Sequence, residues 1–368
     1  MIRVFEPKLF LRDYFSVLNT LYKNNISGSS PIVSEFERKL SYRFDKNEAI
    51  ALSNGSVALD IAFEILNLEE DDEVILPAFT IISCLAAIVR SGAKPVFCDV
   101  DPVSWNMKLE DISSKITTKT KAVLMVHTYG LGAEAQEIRD FCSDKNLYLI
   151  EDAAEAHGQI INNKKCGSFG DISTFSFYAN KHITTGEGGA ILSDNPEFIK
   201  KGRQLINLDF NNNERFKHNN LYWNQRISGL QAALGISQIE GLENVIKKKI
   251  KQGEIYRKLL KEYEEILSTQ PAIYQGIQNH YWVFGILLKN DGVRDKLIKE
   301  LYSEGIETRP FFWPLHLQNA LPKRFVQKDL KLEVSENLGR NGLYIPIGDH
   351  ISVSDQERII KVLLNKIT

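Results

Sequence analysis

The most informative stretch of this sequence reads NKHITTGEGG and covers residues 180–189. Its lysine, Lys181, is flanked by small, hydroxyl and glycine residues, which leave room for the amine to reach a carbonyl carbon and form a Schiff base. A lysine taken at random from a chain with 45 Lys and Arg residues is usually a solvated surface residue. The motifs that accompany Lys181 favour the chemical interpretation.

An acidic pair lies about thirty residues before this lysine. Glu151 and Asp152 end an apolar run that is typical of a buried strand. The pyridine nitrogen of pyridoxal phosphate (PLP) requires such a carboxylate, because a protonated nitrogen keeps the ring an electron sink. The lysine and the acidic residue together predict a PLP enzyme.

Two hydroxyl-bearing motifs could hold a phosphate group. The sequence SNGS at residues 53–56 precedes a helical apolar pattern, and the start of a helix presents free N–H groups and a positive dipole end to an anion. An ordinary helix cap is the alternative interpretation of this motif. Ser176 lies on a predicted strand five residues before Lys181, where alternation points it to the same face as Tyr178. Either motif alone could be purely structural, so their value lies in the combination.

Taken in order, these motifs resemble those of the sugar aminotransferases of the DegT/DnrJ/EryC1/StrS family, which are PLP enzymes of fold type I. The resemblance covers nearly the whole chain. Besides the lysine motif, it rests on ISG at 26–28, LPAFT at 76–80, VHTYG at 126–130, EDAAEAHG at 151–158, NQR at 224–226 and RPFFWPLH at 309–316.

The resemblance implies roles for individual residues. Lys181 would form the Schiff base and then carry the proton between substrate and cofactor. Asp152 would hold the pyridine nitrogen, and Glu155 would lie near the ring hydroxyl. In the family, the segment that contains Arg309 and His316 approaches the sugar substrate, so both residues are candidates for substrate binding.

The family pattern also implies how the cofactor is held. Gly55, Ser56 and Ser176 would bind the phosphate. Asn224 matches a family asparagine that reaches across a dimer interface to the phosphate of the partner subunit, so we expect a homodimer. Ile81 departs from the pattern, because the family commonly has an aromatic residue there that stacks on the cofactor ring. An aliphatic side chain can still pack against the ring, and the Schiff base does not depend on it.

The lysine motif and the TRPFF sequence at residues 308–312 most resemble perosamine synthase-type members of the family. They imply transfer of an amino group from an amino acid, glutamate by expectation, to a nucleotide-linked 4-keto-6-deoxy sugar. A 3-keto sugar or another small keto compound is the alternative acceptor. A more distant alternative is an NAD-dependent oxidoreductase, since GLGAEA at residues 130–135 fits a dinucleotide-binding fingerprint.

Composition limits the other possibilities. The chain has 368 residues, of which 43% are hydrophobic, and a formal net charge of −2, which provides no global field for nucleic acid. No segment predicts a secretion signal or a membrane span, so we expect a cytoplasmic enzyme. Metal-ligand spacing is absent from the cysteines, which fit reduced thiols, and we expect no metal site: Cys84, Cys98, Cys142 and Cys166.

The pattern of apolar residues predicts the α/β fold class. Strand-like runs such as 73–76, 94–98, 122–127 and 147–150 alternate with helical patterns up to about residue 240, which is typical of a mostly parallel sheet. We expect a large PLP-binding domain at 1–245 and a smaller C-terminal α+β domain at 246–368.

Between these domains, residues 227–266 predict one long helix or a broken pair. Its lysine run at 247–249 is expected to face water. In the smaller domain, the sequence predicts a strand at 281–288, a helix at 293–302 and a closing helix at 355–364 with Ser354 as its N-cap.

Overall fold

The computed structural model describes residues 1–210 and 214–367. The helices are α1 Leu11–Tyr22, α2 Pro31–Arg43, α3 Gly55–Leu66, α4 Ile82–Arg90, α5 Leu109–Ser114, α6 Ala135–Asp144, α7 Pro196–Leu205, α8 Gly229–Leu260, α9 Arg294–Ser303, α10 Glu333–Asn341 and α11 Val353–Ile367. The strands are β1 Glu48–Leu52, β2 Glu73–Pro77, β3 Lys94–Cys98, β4 Thr120–Val126, β5 Tyr148–Asp152, β6 Ile160–Ile161, β7 Lys164–Lys165, β8 Ile172–Ser176, β9 Gly189–Ser193, β10 Leu267–Ser268, β11 Ile273–Tyr274, β12 Ile277–Gln278, β13 Phe284–Leu288, β14 Arg309–Pro310 and β15 Gly342–Ile345.

A seven-stranded sheet with the order β1-β9-β8-β5-β4-β2-β3 forms the larger part of the molecule. Only β9 runs antiparallel to its neighbours, so the predicted mostly parallel sheet is confirmed. The central strands are buried along nearly their whole length because helices cover both faces of the sheet. The predicted strand at 94–98 has the bounds of β3, and the other three differ by one or two residues at an end.

The register of the sheet brings the functional candidates to one edge. Val126 at the end of β4 pairs with Asp152 at the end of β5, and Asp152 pairs with Thr174 on β8. In parallel sheets, ligands bind beyond the carboxyl ends of the strands. The loop after β8 carries Lys181 to the same edge.

A smaller antiparallel sheet with the order β10-β13-β15-β14 forms the C-terminal part together with α9 and α11. It has its own apolar core, which includes Tyr256, Phe284 and Ile359. The fold class predicted from the sequence, a large α/β unit with a small α+β unit, is therefore confirmed.

A single long helix, α8, connects the two parts. It begins with a capping box in which Gln231 N–H donates to Ser228 Oγ and Ser228 N–H donates back to Gln231 Oε1. The helix packs against α1 and α2 at one end and α11 at the other. The predicted domain boundary between residues 245 and 246 falls inside this helix.

One local prediction is right only in part, and one is wrong. Lys247 and Lys248 are exposed, as predicted. Lys249 does not face water but is buried on α8, because this side of the helix packs against the segment around Trp282. The closing helix α11 begins at Val353 and is capped by Ser352, not Ser354: Asp355 N–H donates to Ser352 Oγ at 3.1 Å, and Ser352 N–H donates to Asp355 Oδ2 at 2.9 Å.

Among the helices of the described residues, none combines the length and the apolar character that a transmembrane span requires.

Candidate active site

A cavity of about 580 Å³ lies at the carboxyl ends of β4, β5 and β8. Most of the residues that the sequence singled out line it together. These are Gly55, Ser56, Ile81, Asp152, Glu155, Ser176 and Lys181.

Lys181 is placed by a tight loop between β8 and β9. Its N–H donates to Tyr178 O at 2.9 Å, and Thr185 N–H donates to Phe177 O at 2.9 Å, so the loop folds back on the end of β8. Gly186 makes the turn with a φ of 81°, a left-handed conformation that favours glycine. These contacts explain why small and hydroxyl residues surround the lysine.

The Lys181 amine is buried beside a carboxylate and an aromatic ring. Its Nζ lies 3.5 Å from Glu155 Oε1 and 3.7 Å from the ring centroid of Trp282. Burial lowers the pKa of Lys181, while the charges of Glu155 and Asp152 oppose that decrease. A lysine whose neutral form is favoured is a better nucleophile toward a carbonyl carbon.

Two of the acidic residues that line the cavity, Asp152 and Glu155, have few hydrogen-bond partners. Asp152 Oδ1 accepts from Ala154 N–H at 3.0 Å, and Cys84 Sγ donates to Asp152 Oδ2 at 3.5 Å. Glu155 Oε2 accepts from Tyr129 N–H at 2.9 Å. Burial raises the pKa of Asp152 and raises that of Glu155 to about 7, although the nearby Lys181 charge opposes both increases.

The neighbouring acid, Glu151, points away from the cavity. His127 Nε2 lies 2.9 Å from its Oε1, and Ser173 Oγ and the N–H groups of Phe169 and Gly170 donate to its Oε2. Burial alone would raise the pKa of Glu151, but these donors lower it below its ordinary value. Glu151 therefore links β4, β5 and the loop before β8.

Glu151 also belongs to a buried group of possible metal ligands in the described residues, together with His127 and Cys166. The His127 ring is already bonded on both sides, because Ala133 N–H donates to its Nδ1 at 3.1 Å. Both oxygens of Glu151 also accept hydrogen bonds. These hydrogen bonds give His127 and Glu151 a structural role, in which they hold the surrounding segments together.

The predicted phosphate-binding residues lie at one end of the cavity. Asn54 caps α3 by accepting from Val57 N–H at 3.0 Å, and Ser56 Oγ lies 2.7 Å from Ser83 Oγ. A Cβ added at Gly55 would lie 2.6 Å from Ser176 Cβ, so glycine is needed for the helix start to approach the strand. The free N–H groups of the first turn of α3 and the hydroxyls of Ser56 and Ser176 could together bind an anion.

Ile81 lies where the family commonly has an aromatic residue. It is the residue before α4, lines the cavity and is 40% exposed. An aliphatic side chain therefore borders the space that a cofactor ring would occupy.

The structure adds cavity residues that sequence reasoning did not assign. Trp282 and Tyr344 come from the C-terminal part of the chain, and no sequence motif marked them. Phe312 belongs to the RPFFWPLH segment, so that motif could have identified it. Further lining residues are Thr80, Ser83, Asn180 and Glu187.

Three predicted residues do not line the cavity of this chain. Asn224 Oδ1 accepts from Arg226 Nε at 2.9 Å. Arg309 on β14 is paired with Glu307, and its main chain pairs with Tyr344 on β15. The His316 side chain is only 4% exposed and its Nε2 lies 3.4 Å from Glu336 Oε1, and desolvation lowers its pKa.

Comparison with known proteins identifies the family. Residues 13–364 match the model of the DegT/DnrJ/EryC1/StrS aminotransferase family. The chain belongs to this family. It is 38% identical to the GDP-perosamine synthase of Vibrio cholerae over 352 residues, which are 94% of this chain and 94% of that protein.

Two other comparisons agree with this membership. The chain is 34% identical to the GDP-perosamine synthase of Escherichia coli O157:H7, over 94% of this chain and 93% of that protein. The crystal structure of the aminotransferase TlmJ from Streptoalloteichus hindustanus superimposes with a TM-score of 0.92 at 26% identity, covering 100% of this chain and 98% of that one.

The family member described here is a PLP-dependent aminotransferase with the fold-type-I architecture. The cavity fits the cofactor, because one buried amine, one buried carboxylate and a helix start converge on it.

The NAD-dependent alternative is wrong. The loop at residues 130–135 is buried, and a Cβ added at Gly130 would lie 2.3 Å from the backbone N of Trp282. The backbone of Trp282 therefore packs directly against the first glycine of the predicted fingerprint, and the family to which the chain belongs uses PLP.

Proposed function

We propose that the enzyme transfers an amino group from an amino acid, glutamate by expectation, to the keto carbon of a nucleotide-linked 4-keto-6-deoxy sugar. The observation that carries this proposal is the similarity to GDP-perosamine synthases over 94% of the chain. The fit of Lys181, Asp152 and Glu155 around one cavity supports the aminotransferase chemistry.

PLP, when bound, supplies an electrophilic carbonyl and an electron sink. Lys181 Nζ is the amine that we assign to hold the cofactor and to move the proton between the substrate carbon and the cofactor. Asp152 would hold a proton on the pyridine nitrogen, and the start of α3 with Ser56 and Ser176 would bind the phosphate. Glu155, which lies 3.5 Å from Lys181, would orient the amine and lie near the ring hydroxyl.

The acceptor can be identified by product analysis. Purified enzyme loaded with PLP would be incubated with glutamate and either a GDP-linked or a dTDP-linked 4-keto-6-deoxy sugar, and the products examined by mass spectrometry. We expect an amino sugar nucleotide and 2-oxoglutarate. Lys181→Ala is the control that should give neither product. Amination of a 3-keto sugar, with no turnover of 4-keto acceptors, would overturn the proposed specificity.

The phosphates of a nucleotide-linked sugar need positively charged side chains, and few of the described residues that line the cavity carry such a charge. Among the described residues that line it, the charged ones are Asp152, Glu155, Lys181 and Glu187. Arg309 carries a positive charge and pairs through its main chain with Tyr344, which does line the cavity. We propose Arg309 for the substrate diphosphate, and His316, which contacts Glu336, as a residue that positions the same segment.

We further propose that the active enzyme is a homodimer and that Asn224 acts on the cofactor phosphate of the partner. The segment around Asn224 exposes large apolar side chains in this chain: Leu221 is 98% exposed and Trp223 is 50% exposed. A second copy that covers this segment would remove apolar surface from water. The homologous position in the family, noted above, supports the assignment.

Mixing two inactive variants tests the arrangement. If Asn224 acts in trans, a dimer of one Lys181→Ala and one Asn224→Ala subunit collects both defects in one site and leaves the other site intact. Activity should then reappear on mixing. No recovery, although mixed dimers form, would show that Asn224 acts within its own chain. Sedimentation that detects an active, PLP-saturated monomer would reject the dimer requirement.

A further inference from the structure

Two lysines, Lys249 and Lys181, both contact Trp282. Lys249 Nζ on α8 donates to the backbone carbonyl of Trp282 at 2.7 Å. The face of the Trp282 ring covers Lys181 Nζ, 3.7 Å from the ring centroid. The indole Nε1 also donates to the carbonyl of Asn180, the residue before Lys181, at 3.0 Å. Trp282 thus joins α8 to the lysine of the cavity through three separate contacts.

The segment that carries Trp282 is held in an unusual backbone conformation. Tyr281 has a φ of 49°, a left-handed value that is rare for an aromatic residue. Asn279 Oδ1 accepts from Tyr281 N–H at 2.8 Å, and His280 N–H donates to Gly130 O at 2.8 Å. The hydrogen bond from Lys249 holds the backbone carbonyl of Trp282, the residue after Tyr281. It therefore restrains the backbone of the residue that carries the indole.

Packing alone does not account for a lysine at position 249. The amine is buried, and within the described residues no carboxylate lies at ion-pair distance from it. Burial, together with the nearby charge of Lys181, lowers the pKa of Lys249 to about 7, so the charged form is costly here. A methionine would fill a similar volume without this cost.

A small cavity of about 60 Å³ is lined by both lysines. The charged or titratable groups that line it are Glu6, Lys8, Lys181, His182, Lys248 and Asp349 beside Lys249 itself. Lys8 and Lys248 both pair with Asp349, so this carboxylate is already engaged by two other lysines. Lys249 is therefore directed toward Trp282 and not toward an acidic partner.

We propose that Lys249 is a positioning residue for the reaction: it anchors Trp282, and Trp282 holds the Lys181 amine in place at the cavity wall. The inference rests on the proposed role of Lys181 as the cofactor-binding amine. Lys249 does not line the larger cavity. The proposal therefore gives helix α8 an indirect role in the active site, through Trp282.

The rate constant at which the apoprotein condenses with added PLP, followed by stopped-flow absorbance, measures how well Lys181 is placed without requiring turnover. We expect Lys249→Met to lower this rate constant by about tenfold, in the range of a lost hydrogen bond and a weakened cation–π contact. Lys249→Arg retains a charged donor and should restore the rate constant to within about threefold of wild type. Lys247→Met, an exposed neighbour on the same helix, is the matched control and should have no effect.

A double-mutant cycle with Trp282→Phe separates positioning from a general structural role. Phenylalanine keeps the backbone carbonyl but loses the indole N–H and much of the attraction for the amine. If Lys249 acts through Trp282, the double variant should be no slower than the slower single variant, whereas independent effects would multiply. Multiplied effects, or a wild-type rate constant in Lys249→Met, would overturn the proposal.

Two further results keep the test decisive. If Lys249→Met does not fold, a wild-type rate constant in Trp282→Phe overturns the inference, because the proposed effect of Lys249 on Lys181 depends on the Trp282 side chain. Lys181→Ala is the negative control and should not condense with PLP. If the wild-type protein shows no more condensation than this control, the proposed function has failed, and the result says nothing against the role of Lys249.

Discussion

Glu151 and Asp152 are adjacent carboxylates at the end of β5, yet they have opposite environments. Glu151 faces away from the cavity and accepts hydrogen bonds from a histidine, a serine and backbone N–H groups. Asp152 faces the cavity and has two weaker partners. The pKa of Glu151 is lowered and that of Asp152 is raised, although both are buried.

The difference shows how one strand end serves both stability and chemistry. A carboxylate whose oxygens are all occupied by donors holds structure together, because removing it leaves several buried donors unpaired. A carboxylate with free acceptor capacity in a cavity can bind the protonated nitrogen of a ligand. The following predictions test whether the two roles are in fact separate.

The largest expected effect is on catalysis at Asp152. Asp152→Asn keeps the side-chain shape but removes the charge, so kcat should fall by about 10²–10³-fold. The melting temperature of the apoprotein should stay close to that of wild type. The measurement is steady-state kinetics together with calorimetry of the same preparation. Near-normal turnover would place the electron-sink role elsewhere.

Glu151→Gln should show the converse pattern. The amide removes the charge and directs an N–H₂ group at donors, which should lower the free energy of unfolding by about 2–3 kcal/mol. The kcat of the protein that remains folded should change little. Denaturant unfolding monitored by circular dichroism gives the first quantity. A variant with wild-type stability but low kcat would contradict the division of roles.

The pH dependence of stability should also differ between the two sides of β5. Glu155 has a folded-state pKa of about 7 against an ordinary value of 4.5. Its contribution to the free energy of unfolding is therefore fully present below pH 4.5 and is lost as the pH rises through 7. For Glu151 the sign is reversed, because its folded pKa is lowered: its contribution is present above pH 4.5 and is lost at lower pH.

Glu155→Gln should therefore remove a decline in apoprotein stability between pH 4.5 and 7, on the order of 1–3 kcal/mol. Glu151→Gln should leave that decline in place and remove the loss below pH 4.5. Urea unfolding of the apoprotein at several pH values measures both. Identical pH profiles for the two variants would show that the carboxylates are not energetically distinct.

The smallest expected effect concerns Ile81, on the Asp152 side of the sheet. Ile81→Tyr would provide the aromatic face that the family commonly has, and such stacking contributes about 0.5–1.5 kcal/mol. The PLP dissociation constant should decrease by about two- to tenfold, while the rate of Schiff-base formation by Lys181 stays similar. Equilibrium titration of the apoprotein with PLP provides the test, and weaker binding would mean that the aliphatic residue fits this cavity better.

Local motifs predicted much of the candidate site. Gly55, Asp152, Ser176 and Lys181 each lie in a short segment whose residue types restrict the backbone and supply the chemistry. Their convergence follows from the parallel sheet, since strand ends meet at one edge. Trp282 could not be predicted, because its place in the cavity depends on contacts with Gly130 and Asn180, far away in sequence.

The sequence by itself determined the alternation of strands and helices, the lysine and acidic motifs, and through them the family. These features depend on periodicity and on neighbouring residues, so they are visible without a structure. Only the tertiary structure decided that Asp152 faces the cavity and Glu151 the scaffold, and that Lys249 is buried beside Trp282. Alternation places two neighbours on opposite faces, but which face holds the cavity is set by how distant segments pack.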